Sequence, residues 1–246
     1  MILRLAFAFA ALLATPLTAQ EMTDAERATF RGEVRAYLLE NPEVLMEAIG
    51  VLEQRQATTE ASADSDMVLL AGSALFNDGH SFVGGNPDGD ITIVEFMDYR
   101  CGYCKRAFPE VAALVSGDQN IRYIVKEFPI LGEQSELAAR YAIAVQILEG
   151  DETYKTIHDT LMEFQGDFST ASLSRMSAAF GLDNDAVFEM MGSPEVATVI
   201  NENRALAQSL QISGTPSFVF QDQMLRGYVP LAQMRQIIAE IREKAG

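Results

Sequence analysis

The feature that most constrains the fold of this chain is an apolar, strand-like run that leads into a closely spaced pair of cysteines. The run ITIVEF, residues 91–96, is rich in β-branched residues and has no breaker, which predicts a strand buried on both faces. The motif CGYC, residues 101–104, holds both cysteines of the 246-residue chain. Beyond it, Ala107, Val111 and Leu114 follow at a helical spacing. The sequence therefore predicts that both thiols lie where a strand passes into a helix.

This position predicts different reactivities for the two thiols. The first amides of a helix have no intrahelical acceptor, and together with the helix dipole they stabilise a thiolate at Cys101. Cys104 falls one turn later on the same face, within reach of a mixed disulfide formed at Cys101. We therefore predict a thiol–disulfide exchange site in which Cys101 is the nucleophile and Cys104 is the resolving thiol.

Two other roles fit the cysteine pair less well. A disulfide across so small a ring stabilises a fold by only about 2 kcal/mol. A closed zinc site needs four ligands, and the two histidines, His80 and His158, are single and far apart in the sequence. We expect no metal at CGYC and no cofactor beyond the redox-active disulfide Cys101–Cys104.

Two ionisable residues are candidates for tuning the site. Glu95 stands inside the apolar strand, six residues before Cys101, and a buried carboxyl with a raised pKa can accept or relay the Cys104 proton. Lys126, at the end of IRYIVKEFP, is a candidate modulating charge. The alternatives are a solvated carboxylate at the strand end for Glu95 and a surface charge for Lys126.

Charge and the first residues predict where the protein works. With 18 basic and 35 acidic residues the formal charge is −17, which repels nucleic acid and anionic membranes. Residues 1–19 carry one arginine, an apolar stretch and small residues before Ala19, which is typical of a cleavable secretory signal and too short for a good membrane span. We expect an exported protein of the oxidising periplasm, with no membrane span after cleavage.

A second motif, SGTPSFVF at residues 213–220, places a proline before another strand-like run. Together with the strand–CGYC–helix unit it resembles the thioredoxin superfamily. The resemblance implies a cis-proline loop beside the redox pair, in which Thr215 and Pro216 bind an extended substrate.

The resemblance is closer to one branch of that superfamily. The segments EFMDYRCGYCK, VKEFPILG and GTPSF, with helix-like sequence between the last two, resemble the DsbA-like periplasmic thiol-disulfide oxidoreductases. This implies an α/β thioredoxin fold over residues 80–246 with a helical insertion at about 130–212. Between the cysteines stand Gly102 and Tyr103 rather than the Pro-His of the strongly oxidising archetype. Tyrosine cannot stabilise a thiolate as a cation, so these two modulating residues leave the strength of the oxidant open.

The residues before this domain predict a helical arm over 20–79. A capping box at Thr23–Glu26 opens one helix, and Asn41-Pro42 opens a second. The segment also resembles the N-terminal helices of ScsC-like and Com1-like members of the DsbA-like group, some of which assemble through that arm. An apolar stripe outside the main domain needs a cover, which is either the protein's own domain or a homo-oligomer formed through residues 20–66.

These observations favour an exported protein-disulfide oxidoreductase or isomerase acting on cysteine-containing exported proteins. An unidentified redox partner would reset the site. The alternative is a non-enzymatic exported binding or copper-tolerance protein in which the disulfide only locks a loop. Four methionines bear on copper handling, although their helical spacing is typical of core residues: Met162, Met176, Met190 and Met191.

Overall fold

The structure is a computed structural model that describes residues 21–245, so the predicted signal at residues 1–19 lies outside the described residues. The described chain contains ten helices and five strands. In order these are α1 Asp24–Glu40, α2 Glu43–Leu70, α3 Gly72–Phe76, β1 Phe82–Gly85, β2 Ile91–Met97, α4 Gly102–Gly117, β3 Ile121–Glu127, α5 Glu133–Glu149, α6 Asp151–Glu163, α7 Thr170–Phe180, α8 Asn184–Met191, α9 Pro194–Ser209, β4 Ser217–Phe220, β5 Gln223–Arg226 and α10 Leu231–Ala245. No helix in this part of the chain is long and apolar enough to cross a membrane.

The strands form one mixed sheet in the order β1-β3-β2-β4-β5. The central strand β2 runs parallel to β3 and antiparallel to β4, so it is covered along both edges. Five helices, α5 to α9, lie in the chain between β3 and β4. This arrangement confirms the predicted α/β fold with a helical insertion.

Alternate residues of the central strands pack into two different cores. On one face, Ile93 and Val125 join a large core with the helices α4, α5, α6 and α10. On the other face, Val94 and Ile124 pack with residues from α2, α3 and α9. Both faces of the sheet are therefore buried, as the unbroken apolar character of ITIVEF predicts.

The chain divides after Gln56 into two compact units, the second of which begins at Ala57 and contains the sheet. In the first unit, Thr23 and Glu26 form the predicted capping box. The polar run after the apolar residues of α2 is helical and continues to Leu70. Val68 and Leu75 are buried in the sheet core, so residues 57–79, which the sequence analysis placed in the arm, pack as part of the second unit.

Candidate active site

The two cysteines lie at the start of α4, immediately after the loop that leaves β2. Cys101 is the N-cap residue, with an extended backbone conformation, and Cys104 is in the first turn. Both are free thiols in this structure, and both are largely buried, with Cys101 7% exposed and Cys104 fully buried. Of the two residues, only Cys101 therefore retains some contact with solvent.

The Cys101 thiolate is stabilised by several hydrogen bonds. The Cys104 thiol makes the largest contribution, and the Thr215 side chain and the backbone amides of Cys104 and Tyr103 add to it. Together they outweigh the cost of burial and lower the pKa of Cys101 to about 5. Cys101 is therefore a thiolate at neutral pH, with the helix amides as part of the cause.

Cys104 has the opposite environment. Burial raises the pKa of the Cys104 thiol well above its usual range, and the hydrogen bond to Cys101 and the charge of Glu95 raise it further. The two sulfurs thus differ strongly in acidity, although only two residues separate them. Cys104 must give its proton to a nearby base before it can act as a nucleophile.

Glu95, the candidate proton acceptor, is a buried carboxyl on β2. Its side chain is 2% exposed, and it stands opposite Val125 on β3 and Phe218 on β4. The pKa of Glu95 is raised to about 7. Burial is the largest cause, the hydrogen bond from Tyr123 opposes it, and the charge of Cys101 adds to it. The structure thus places Glu95 in the buried strand and couples it to both sulfurs.

The proline loop meets the redox pair from the other side of the fold. The Thr215–Pro216 bond is cis, as the resemblance implies. Cys101 Sγ lies 3.1 Å from the Thr215 carbonyl oxygen, to which the thiol donates when it is protonated. Tyr103, between the cysteines, is 62% exposed, and Gly102 is also exposed. Both residues are therefore accessible to a molecule that approaches the redox pair.

Lys126 is not brought to the redox pair. It lies on the face of the sheet opposite Glu95, because side chains alternate along β3 and Tyr123 and Val125 occupy the other face. Its Nζ donates to the Ala74 carbonyl oxygen at 2.8 Å and to the Asp78 carboxylate. The structure therefore gives this lysine a buried ion pair that ties the segment before β1 to the sheet.

The sequence analysis missed a second buried polar cluster beside the site. Tyr99 and Tyr154 each donate a hydrogen bond of 2.7 Å to Glu127 Oε1, and the Tyr99 hydroxyl lies 3.0 Å from His158 Nδ1. Burial raises the pKa of Glu127 to about 8 and lowers that of His158 to about 3. The sequence did offer a signal for this cluster: Glu127 ends the apolar run IRYIVKE, just as Glu95 stands in the apolar run ITIVEF.

The described side chains also bear on the metal and copper roles raised by the sequence. Across residues 21–245 no group of three or more histidine, cysteine or acidic residues is placed to hold a metal ion. The four methionines that bear on copper handling belong to the main core or pack against it, which is the structural role that their spacing predicts.

Two family models match parts of this chain. The sequence model of the DSBA-like thioredoxin domain matches residues 92–239, and that of the copper resistance protein ScsC N-terminal domain matches residues 26–58. Among curated relatives, the Na(+)/H(+) antiporter NhaA 1 of Salinispora arenicola is 32% identical over 139 residues. The match covers 55% of this chain and 21% of that protein, so the chain spans about a fifth of the length of this relative.

Solved structures are similar over most of their own length. A thioredoxin-like oxidoreductase from Silicibacter pomeroyi is 41% identical, with a TM-score of 0.65 and coverage of 70% of this chain and 97% of that one. The thiol-disulfide exchange protein alpha-DsbA2 from Wolbachia pipientis is 27% identical, with a TM-score of 0.69 and coverage of 74% and 98%. A periplasmic thioredoxin-like protein from Salmonella enterica serovar Typhimurium is 28% identical, with a TM-score of 0.60 and coverage of 70% and 95%.

The family match covers more than half of the chain and includes both cysteines, Glu95 and the Thr215–Pro216 loop. The ScsC match covers most of α1 and the first half of α2. The chain therefore belongs to the family of DSBA-like thioredoxin domains, in its ScsC-like branch, whose members are thiol-disulfide oxidoreductases.

Proposed function

We propose that this protein is an exported thiol-disulfide oxidoreductase that forms or reshuffles disulfides in periplasmic proteins through Cys101 and Cys104. The observation that carries the proposal is the contrast between the two sulfurs. Cys101 has a pKa of about 5 at the start of α4, whereas burial keeps Cys104 protonated. Such a difference suits an exchange reaction and has no use in a static cross-link.

The reaction proceeds in two exchanges. A substrate thiolate attacks Cys101 Sγ of the oxidised pair, which forms a mixed disulfide and breaks the Cys101–Cys104 bond. Cys104 leaves as a thiolate and takes a proton from Glu95, whose pKa of about 7 keeps part of it protonated at neutral pH. A second substrate thiolate then attacks the substrate sulfur and releases Cys101 as its stabilised thiolate. The substrate loses two electrons, and the pair gains them.

The loop at Thr215 and Pro216 is the proposed substrate-binding element. The Thr215 carbonyl contacts Cys101 Sγ directly, so a peptide bound along this backbone holds its own cysteine beside the reactive sulfur. The proposed partners are cysteine-containing exported proteins and a redox protein that resets the pair. Similarity to a periplasmic thioredoxin-like protein supports the proposed compartment.

Insulin reduction and refolding of a scrambled disulfide protein test this function. Wild-type protein should be active in at least one of these assays, and Cys101→Ala should abolish that activity. Cys104→Ala is the matched variant, because it retains the nucleophile but should accumulate mixed disulfides. Equal activity in wild type and Cys101→Ala would reject the proposal.

The same pair of proteins tests the alternative function. The alternative is a non-enzymatic binding or copper-tolerance role, and the match of residues 26–58 to a copper resistance protein domain is the observation that favours it. In that case copper binding should survive Cys101→Ala, and wild type should show no exchange with insulin. Exchange that depends on Cys101 favours the enzyme.

We also propose that the arm forms a homo-oligomer, which favours reshuffling of wrong disulfides. The arm exposes a set of large apolar side chains: Phe30, Val34, Tyr37, Leu39, Leu45, Met46, Ile49, Val51 and Leu52. In an oligomer, a substrate released from one redox pair meets another at high effective concentration. A variant beginning at Ala57 keeps the second unit intact, so it should be monomeric in light scattering and lose isomerase activity while still reducing insulin.

A point variant separates the arm's surface from its length. Leu52→Gln removes one apolar contact and should weaken association, whereas Glu53→Gln, beside it and also exposed, should leave it unchanged. A monomeric full-length protein at micromolar concentration would contradict the oligomer, as would full isomerase activity in the truncated form.

A further inference from the structure

Tyr123 and Glu95 form a buried pair on one face of the central sheet. Glu95 is on β2 and Tyr123 is on β3, two residues before the position opposite Glu95, so both side chains point toward α4. The Tyr123 hydroxyl donates to Glu95 Oε2. Glu95 is 2% exposed and Tyr123 is 8% exposed, so the bond forms where water competes little for either group.

The two oxygens of Glu95 have different surroundings. Oε2 accepts the bond from Tyr123, whereas Oε1 is buried and has no hydrogen-bond partner among the described residues. An unpartnered carboxylate oxygen in a buried site is costly. Its retention is explained if Oε1 exchanges a proton during the reaction, because it must then be free of a permanent donor.

The groups that face this pair come from several elements. Cys101 and Cys104 at the start of α4 interact electrostatically with Glu95. Tyr154 on α6 acts on Tyr123, as does Cys104. The neighbours across β2, Val125 and Phe218, carry no charge. Within this set only Tyr123 donates a hydrogen bond to the carboxylate.

The space for the Tyr123 ring is provided by the strand beside it. Gly84 on β1 stands directly opposite Tyr123. A Cβ atom at Gly84 would lie 3.7 Å from Tyr123 Cδ1 and only 2.8 Å from a ring carbon of Phe82. The glycine thus lets the two aromatic rings close over this part of the sheet, which fixes the position of the Tyr123 hydroxyl.

We propose that Tyr123 is a positioning residue for the exchange reaction: it holds Glu95 by Oε2 and leaves Oε1 to exchange the proton of Cys104. The inference deepens the proposed function and rests on it. When Cys104 attacks a mixed disulfide, its thiol proton passes to Oε1 and its sulfur forms the new bond to Cys101, while the substrate sulfur leaves. When the Cys101–Cys104 disulfide opens, the same proton returns to Cys104.

Removal of one hydroxyl tests this role. In Tyr123→Phe, the carboxylate loses its donor, so the pH at which the resolving step is half-maximal should rise by about one unit. The step is followed as the release of glutathione from a mixed disulfide at Cys101 in rapid-quench experiments. Below the wild-type midpoint, Tyr123→Phe should resolve the mixed disulfide about tenfold more slowly than wild type, because a smaller fraction of its Glu95 is ionised.

Tyr154→Phe is the matched control. It also removes a buried tyrosine hydroxyl, but that hydroxyl bonds to Glu127 rather than to Glu95, so it should leave the midpoint of the resolving step in place. In a Glu95→Gln background, Tyr123→Phe should cause no further shift. An unchanged midpoint in Tyr123→Phe, or an equal shift in Tyr154→Phe, overturns the assignment.

A measurement on the reduced wild-type protein, with Glu95→Gln as its control, separates this inference from the proposed function. With carbon-13 in glutamate side chains and tyrosine rings, the Glu95 carboxyl and the Tyr123 Cζ signals should titrate with one midpoint, and the tyrosine titration should vanish in Glu95→Gln. A Tyr123 signal that does not follow Glu95 rejects the positioning role, even if exchange activity is normal. Absence of exchange activity with a shared titration rejects only the proposed function.

Discussion

Cys101 and Thr215 are 114 residues apart in the chain, and the sulfur of the first lies 3.1 Å from the carbonyl oxygen of the second. Pairing of β2 with β4 creates this contact, because it brings the end of β2 beside the start of β4. The helical insertion therefore separates the two residues in the sequence, whereas the sheet holds them together in space. Reactivity at Cys101 depends on both segments.

The first prediction concerns the relative reactivity of the two thiols. Because the pKa of Cys101 is lowered to about 5 and that of Cys104 is raised by burial, iodoacetamide at pH 6 should label Cys101 at least roughly a hundredfold faster. Mass spectrometry of the labelled peptides measures both rates. Equal labelling of the two sulfurs would contradict the assignment of the nucleophile.

The second prediction concerns the Thr215 side chain. Its hydrogen bond helps to lower the pKa of Cys101, so Thr215→Val should raise that pKa by about 0.5 to 1 unit. Thr215→Ser keeps the hydroxyl and should behave as wild type. The thiolate absorbance at 240 nm, followed against pH, gives the value for each protein, and identical curves for all three would show that the hydroxyl has no effect.

The third prediction is that Lys126 supports the fold and leaves the redox pair unaffected. Lys126 is fully buried against Asp78, so Lys126→Met leaves a carboxylate with one partner fewer and should lower the free energy of unfolding by about 3 kcal/mol. Urea denaturation measures the loss. The pKa of Cys101 should stay at its wild-type value, since the lysine lies on the other face of the sheet; a shift of that pKa would restore the modulating role expected from the sequence.

The strand–CGYC–helix unit and the roles of its two sulfurs could be predicted from local patterns in the sequence, whereas the complete fold is predicted from the resemblance to DsbA-like proteins. The run ITIVEF, the spacing of CGYC and the proline at 216 each constrain one segment. The roles of Tyr123 and Lys126 depend on which face of β3 each side chain occupies, and that is decided by pairing with β2. A shift of β3 by one residue would exchange its two faces, so that Tyr123 would no longer reach Glu95 and Lys126 would no longer reach Asp78. The helical continuation to Leu70 through a polar run likewise depends on Val68, which reaches the sheet core.

The fourth prediction concerns acid sensitivity. His158 is buried, and its pKa is lowered to about 3 by burial and by the charge of Lys155. The unfolded chain binds a proton at this residue near pH 6.5, whereas the folded protein does not. Its stability contribution is therefore complete above pH 6.5 and is lost as the pH falls toward 3.

His158→Gln isolates this contribution. In this variant the decline of unfolding free energy between pH 6.5 and 4 should be shallower than in wild type by on the order of 2 kcal/mol. Chemical denaturation at several pH values measures the slopes. Parallel curves for the two proteins would mean that His158 is protonated in the folded state.

The equilibrium redox potential of the Cys101–Cys104 pair, measured against glutathione buffers, tests the central claim most directly. Hydrogen bonds that stabilise the Cys101 thiolate favour the reduced form and so make the disulfide a better oxidant. The account predicts a potential less negative than about −200 mV, in the range of proteins that donate or reshuffle disulfides. A potential more negative than about −300 mV, typical of structural disulfides, would contradict it.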